Sequence, residues 1–356
     1  MPDGTAARLT AARPGIAIDG AESAALQGGL LDLVIREAAS GLYRCEALFN
    51  NWGMAGGQTG FLHFDRRALD FGKGFEVRLG RDKLFAGRIM ALEGEFPEGA
   101  PPRIRVLAED RLQDLRMARR TRSFENVSDA QAITRVAQDH GLTPQVNLSG
   151  PTYKVLAQVN QSDLAFVRER ARATGGEVWV DGSTLHVDAR PGRAAASFKL
   201  AIGATLREFR VTADLASQCT KLTVGGWDVS AKEAIKGEAE ASAAAGEVGG
   251  DEGGAAILQN ALGERKQSVA HAAPLASDEA RAIAKARFLA AARRFVVGQG
   301  VAETDVRLRV GATVELEGLG PLFAGKYYVA ATCTRFDSQR GLRTEFTAER
   351  PGLGRP

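Results

Sequence analysis

Four histidines are the residues of this 356-residue chain best suited to proton or metal chemistry, and they are scattered. His63 and Asp65 stand two apart near the end of an expected strand, and two such side chains hold no metal without a third ligand. His186 falls in an expected hairpin, in a solvent-facing or cross-strand place. His140 precedes a helix-stopping glycine and fits a residue that stabilises a helix C-terminus. His271 lies in irregular sequence beside no nameable partner. Glu109 and Asp110 close an expected strand as a carboxylate pair, read as solvated. The run GGDEGG (Gly249–Gly254) lacks the ligand spacing of a calcium loop. There is no Gly-x-Ser-x-Gly elbow, no phosphate loop and no Gly-x-Gly-x-x-Gly after a strand. Cys45, Cys219 and Cys333 are far apart and read as reduced core thiols. The expectation is a protein with no catalytic set, no metal site and no cofactor.

The densest basic stretch is RLQDLRMARRTR, Arg111–Arg122. Such a cluster could touch phosphates. Asp110 precedes it, Asp114 interrupts it and no aromatic stacking platform accompanies it, so a solvated or subunit-facing surface is expected. Composition adds little: 44% hydrophobic, 25% charged and a net charge of +3 force no acidic or basic partner. Met1–Gly15 has no apolar run, so no secretory signal is expected and synthesis in the cytoplasm fits. No apolar run approaches the roughly 20 residues of a membrane span.

The elements that must position these residues announce themselves as a repeat. Leu-Phe-Ala-Gly occurs at Leu84–Gly87 and again at Leu322–Gly325. GFEVRLG precedes the first copy and GATVELEG the second, both alternating with the period of a half-buried strand. Downstream, Ile104, Val106 and Ala108 share one phase, matched by Thr344, Phe346 and Ala348. A one-residue slip would turn every inward side chain outward, so preserved phase is informative. CEALFNNW (Cys45–Trp52) aligns with TKLTVGGW (Thr220–Trp227), with Leu30–Ile35 and Thr205–Arg210 as the preceding strands. The longer interval after Trp227 places an insertion in the second copy.

Between the copies, Ser128 and Gln131 form a capping box ahead of Ile133, Val136 and Ala137, and Gly141 ends that helix. A second helix starts near Ser162, carries Leu164, Phe166 and Val167, and stops at Gly175. A hairpin follows with an Asp181-Gly182 turn suited to type I′. The insertion holds a glycine- and alanine-rich run, Gly237–Gly254, expected as an exposed loop. After it comes a helix from an Ser277 N-cap to about Val297. The fold class expected is mainly β with α+β: two similar antiparallel β-barrel domains, a middle α+β domain and a helical insertion. The boundaries are 1–110, 111–198, 199–228 with 300–352, and 229–299 for the insertion, its helix spanning 278–297.

Three stretches carry a resemblance. AEDRLQDLRMARRTRSFENVSDAQAITRVAQDHGL, QVNQSDLAFVRERARATGGEVWVDGSTLHV and GLGPLFAGKYYVAATCTRFDSQRGLRTEFTAERPG resemble phage late control protein D and the valine-glycine repeat proteins of type VI secretion. The matching positions are Asp110, Arg111, Leu112, Asn160, Gln161, Asp163, Leu164, Phe166, Gly325, Tyr327 and Tyr328, in structural rather than catalytic roles. The resemblance runs from about Ile16 to Gly352. It implies a non-enzymatic baseplate or tail hub of a contractile injection system, made in the cytoplasm and carried in a phage tail, type VI-like or extracellular particle. Three chains with two barrels each would form a pseudo-six-fold ring adapting a hexameric inner tube to a trimeric spike. Other baseplate proteins are implied partners, with no membrane insertion of its own. Because the chain stops at Pro356 just after the hub motif, a separate spike protein is expected. Two other readings stand beside this one: a tail-tip cell-wall hydrolase, which needs a carboxylate pair in a cleft, and a nucleic-acid-binding module using Arg111–Arg122.

Overall fold

Alternating strands dominate the computed structural model, which describes residues 13–355 apart from 56, 194, 230, 248, 271, 273 and 275. His271 and most of Met1–Gly15 lie outside the described residues. The first unit comprises β1 (Gly15–Ile18), β2 (Ala21–Glu22), α1 (Ala24–Gly29), β3 (Leu30–Ala38), β4 (Arg44–Asn50), β5 (Trp52–Ala55), β6 (Gln58–Phe61), β7 (Gly74–Leu79), β8 (Asp82–Glu95) and β9 (Arg103–Glu109). Its strands pair antiparallel in the order β3-β4-β9-β8-β7-β1-β2. Leu33, Ile35, Cys45, Ala47, Phe49, Ile104, Val106 and Ala108 face one buried core, as their period of two requires.

A single 3-10 turn (Arg111–Leu115) leads into the middle unit: β10 (Arg119–Ser128), α2 (Asp129–Asp139), β11 (Thr143–Asn147), β12 (Thr152–Ser162), α3 (Asp163–Ala173), β13 (Gly176–Asp181) and β14 (Thr184–Ala189). The Ser128/Gln131 capping box forms as expected, and Ser162 accepts from the Ala165 N–H to cap α3. Ile133, Val136, Leu164, Phe166 and Val167 lock both helices onto the strands in a second core. The β13–β14 turn differs from expectation. Only Gly182 takes a positive φ there, at +56°, which suits a turn with glycine first of its two central residues rather than type I′.

The second unit contains β15 (Ser197–Ala201) and β16 (Leu206–Ala213), then, after an insertion, β21 (Val296–Glu303), β22 (Thr313–Glu317), α6 (Gly320–Phe323), β23 (Gly325–Asp337), β24 (Gly341–Arg350) and β25 (Gly352–Leu353). The insertion is β17 (Lys221–Asp228), β18 (Glu233–Glu240), β19 (Glu252–Gly253), α4 (Gly254–Leu262), β20 (Lys266–Val269) and α5 (Ser277–Ala292). The order β16-β21-β24-β23-β22 repeats β3-β4-β9-β8-β7. The register repeats too. Ile89 faces Ala108 with a bulge before Ala91, and Val329 faces Ala348 with a bulge before Ala331.

Three expectations change. First, Leu84–Gly87 and Leu322–Gly325 are not equivalent. The first stretch lies in β8, whereas Leu322 and Phe323 lie in α6, and the matching bulges put Gly87 opposite Tyr327 in the comparison of units. Second, the counterpart of Cys45–Trp52 is β21, not Thr220–Trp227. β17 pairs with β18 and β20 in a separate sheet covered by α5, so the insertion begins after β16. Third, α5 ends at Ala292 instead of Val297, because Val296 onward pairs with β16 and β24. Its N-cap is Ala276.

Gly237–Gly254 is no exposed loop either. Ile235, Gly237 and Ala239 of β18 turn inward onto Ala280, Ala284 and Phe288 of α5. A Cβ on Gly237 would collide with the Ala280 backbone, so glycine is what lets strand and helix touch.

The expected barrels do not close among the described residues. Instead β3 pairs antiparallel with β23 from Ala38↔Ala331 to Asp32↔Asp337, joining both units into one 13-stranded sheet. Each inner edge thus satisfies the other's backbone groups, the need that closure would otherwise have met. No helix among the described residues is long and apolar enough to cross a membrane.

Candidate functional site

The polar chemistry gathers where the three units meet. Glu177 is the second residue of β13, with 7% of its surface exposed. Its carboxylate accepts from Arg190 Nε at 2.8 Å, from Arg193 Nη1 at 2.8 Å and from the Tyr328 hydroxyl of β23. Arg193 also donates to the Tyr43 hydroxyl of the first unit at 2.6 Å, and Arg190 pairs with Glu349 of β24 at 2.7 Å. Aromatic faces complete the cluster. The Arg193 guanidinium lies 4.3 Å from the Trp179 ring centroid and that of Arg190 lies 4.4 Å from Tyr328. Burial pushes the Tyr43 phenol up to about 12, and burial with the adjacent Glu177 pushes Tyr328 up as well. Both hydroxyls therefore stay protonated donors or acceptors at neutral pH.

Two further ties span the same junction. Arg309, ahead of β22, donates through Nε to Glu37 of β3 at 2.8 Å. Arg168 of α3 donates to the carbonyls of Ser40 and Gly41 at 2.7 and 2.9 Å, holding the β3–β4 turn. Gly41 has to be glycine: its φ is +71° and a Cβ would strike the Val178 carbonyl and Leu112. Asp110 is buried at 4% exposure, where a solvated carboxylate was expected. It accepts from the Tyr43 N–H at 2.7 Å and the Leu112 N–H at 2.9 Å. Burial raises its carboxyl to about 6, with those two N–H donors pulling the other way. Its neighbour Glu109 is held by Arg116 and Arg44 at 2.5 and 3.0 Å.

Inside the middle unit, Asp163 is the second centre. It accepts from Arg122 at 2.9 Å and Gln158 at 2.8 Å, meets His140 Nε2 at 2.7 Å and lies 3.3 Å from Arg120. Burial works to raise its pKa, but the hydrogen bonds from His140 and Gln158 and the charges of Arg122 and Arg120 hold it below the ordinary carboxylate value. His140 thus braces a carboxylate across two helices besides ending α2. The basic run is spent locally: Arg116 on Glu109, Arg120 and Arg122 on Asp139 and Asp163, Arg119 on the Asn160 carbonyl, Arg111 on Asp114.

The remaining expected positions are structural in their contacts. Asn160 takes φ +46° and its N–H donates to Thr121, while the Gln161 amide donates to Glu169 at 2.7 Å. Leu112 and Leu164 are buried, and Phe166 stacks on Phe124 at 5.5 Å. Gly325 has φ +117°, and the buried Tyr327 donates its hydroxyl to the Phe323 carbonyl at 2.8 Å. His63 donates its backbone N–H to Asn51, and His186 stacks on Trp179. Among the described residues no group of three or more His, Cys, Asp or Glu is placed to hold a metal ion. Sequence reasoning missed Tyr43, Glu177, Arg190, Arg193, Arg309 and Glu349. The one available signal was a glutamate among the apolar residues of GEVWV, an odd residue for a strand interior.

Comparison with known proteins gives the context of this geometry. No curated protein sequence matches the chain. The 43 kDa tail protein of prophage MuSo2 from Shewanella oneidensis superposes with a TM-score of 0.71 at 12% identity, over 95% of this chain and 98% of that one. The tail protein from Neisseria meningitidis MC58 gives 0.66 at 10% identity, over 95% and 96%. The E. coli c3393 protein, described as a component of the type VI secretion system with structural similarity to T4 bacteriophage tail proteins gp27 and gp5, gives 0.60 at 12% identity, over 96% and 79%. A family model described as the Alg8 N-terminal domain matches residues 67–336. The chain therefore belongs to the family of that domain, and it has the fold of these phage and type VI secretion tail proteins.

Proposed function

We propose that the chain is a structural hub of a contractile injection particle, without enzymatic activity of its own. Three copies form a ring of six quasi-equivalent β units that joins a hexameric inner tube to a separate trimeric spike, alongside other baseplate proteins. The observation that carries this is the repeated strand order, with the same bulge in β8 and β23 and the seam β3·β23 between the units. A chain with two like units can satisfy six-fold and three-fold neighbours at once. The junction network fits such a role, since it spends its charges on holding units together. We also propose the division into a first unit to residue 110, a middle unit to 198, and a second unit interrupted between β16 and β21. Asp110 and Tyr328 then act as positions that fix one unit against the next, and Asp163 as one that braces the middle unit from within.

The test is the mass of the purified chain by light scattering together with its presence in purified particles. A trimer that co-purifies with tube and spike proteins is expected. A stable monomer absent from every particle overturns the proposal.

A further inference from the structure

The repeated strand order leaves two edges unpaired. In the seam, β23 offers β3 the stretch that follows its bulge, from Ala331 to Asp337. The matching stretch of β8, from Ala91 onward, pairs only with β9 among the described residues. At the other end of the sheet β16, the counterpart of β3, pairs along those positions only with β21. Their bulges agree as well: β3 breaks register between Leu30 and Asp32, and β16 between Leu206 and Glu208. The chain thus carries both halves of a second seam, each a row of free backbone donors and acceptors, and it pairs neither with the other.

Burial shows what each half lacks. Phe336 reaches across the seam into the core of the first unit and is 4% exposed. Its counterpart Phe96 is 66% exposed, against Phe61 and Phe64 at 6.5 and 5.7 Å. Thr332 and Thr334 are buried in the seam, whereas their counterparts Leu92 and Gly94 are half-buried and exposed. On the other half, Leu33 and Ile35 are fully buried beside β23, but their counterparts Phe209 and Val211 are only partly covered. Arg210, between those two, is exposed and has no ion pair among the described residues.

We propose that residues 91–97 of one chain pair antiparallel with residues 208–214 of a second copy, in the register of the β3·β23 seam. The inference rests on the hub reading above and names the joint between its chains. Transfer of the seam register sets Phe96 opposite Phe209, Glu95 opposite Arg210 and Glu93 opposite Thr212. Phe96 fills the gap beside Phe209 and Val211, as Phe336 does beside Leu33 and Ile35. Arg210 gains Glu95, which within the chain is held by Arg105 at 2.6 Å, as an opposite-charge cross-strand pair. Trp52, Phe61 and Phe64 stand beside Phe96 in one group. At roughly 200 Å² per side chain, the four leave roughly 400 Å² of contiguous apolar surface in water, about half of what one partner gives to a standard interface. The contact joins two different edges, so it is heterologous, the kind from which a ring is built.

The test is a disulfide across the joint. Glu93→Cys with Thr212→Cys is made in the full chain, together with Cys333→Ser to remove the half-buried native thiol. Residues directly opposite in antiparallel strands have Cα atoms about 4.5–5.5 Å apart, within disulfide reach, whereas diagonal neighbours at about 7–8 Å are beyond it. Light scattering should give a trimer, and mild oxidation should join chain to chain through the peptides containing positions 93 and 212, identified by mass spectrometry. The displaced pair Glu93→Cys with Arg210→Cys should stay unlinked. A trimer that forms no link, or that links the displaced pair instead, overturns the inference and leaves the hub reading standing. A monomer absent from particles overturns both. In support, Phe96→Asp, at a position exposed in the single chain, should leave the circular dichroism unchanged and weaken association of chains by about thirtyfold or more, the scale of an interface hot spot. Phe96→Leu should keep the trimer.

Discussion

Glu177→Ala is the sharpest probe of how the units are held. The substitution removes the common acceptor of Arg190, Arg193 and Tyr328, all at a site closed to water. Stripping one partner from a buried ion pair typically costs about 3–5 kcal/mol. Arg190 retains Glu349 and Arg193 retains the Tyr43 hydroxyl, which puts the expected loss at the low end, about 3 kcal/mol, or about a hundredfold in the folding equilibrium. Glu177→Gln keeps an acceptor oxygen but no charge, and about half that loss is expected. Urea unfolding followed by Trp179 fluorescence reads the junction directly, because Arg193 packs on that ring. The exposed Trp52 and Trp227 are first replaced by phenylalanine to isolate it. The fluorescence transition should move to lower urea and precede the loss of β-sheet circular dichroism. Coincident transitions at the wild-type midpoint would refute the idea that this carboxylate clamps the three units.

Three other outcomes are expected. Asp110 titrates near 6 in the folded protein against an ordinary 3.8, so the folded state binds the proton more tightly; its contribution to stability falls as pH rises from about 4 to about 6, by up to about 1.4 kcal/mol per unit. Asp110→Asn should flatten that slope in a series of denaturation curves between pH 4 and 7. Gly237→Val should destabilise by about 1–3 kcal/mol by forcing β18 off α5, and deleting Gly237–Gly254 should unfold the insertion, both visible in thermal melts. Ser128→Ala should cost about 1 kcal/mol by opening the capping box of α2, read as faster amide exchange in its first turn.

What the sequence made legible was phase. Ile104, Val106 and Ala108 correspond to Thr344, Phe346 and Ala348 in both pattern and ladder, because alternation is a local property fixed by the pleat. The same locality misled elsewhere. β17 alternates as β4 does, yet it pairs within the insertion, and nothing in an eight-residue pattern names its partner. The shared Leu-Phe-Ala-Gly likewise lies within a strand once, and once runs from the end of a helical turn into the start of a strand. β18 escaped notice because its inward residues include Gly237 and Ala239, too small to register as an apolar stripe although they are what close packing on α5 requires. The junction lay further out of reach. Tyr43 meets Arg193, and Glu177 meets Tyr328, across spans of sequence that no periodicity bridges.

The seam between β3 and β23 has a temporal side. Its two strands leave the ribosome far apart: Ala38 emerges early, and its partner Ala331 nearly three hundred residues later. At about 5–20 residues per second, the earlier strand waits between about 15 and 60 seconds for its mate. Throughout that interval its free edge is open to any nascent neighbour. Completion of the sheet therefore marks that synthesis has passed β23, and oligomer assembly that requires the joined sheet cannot begin on a chain shorter than that.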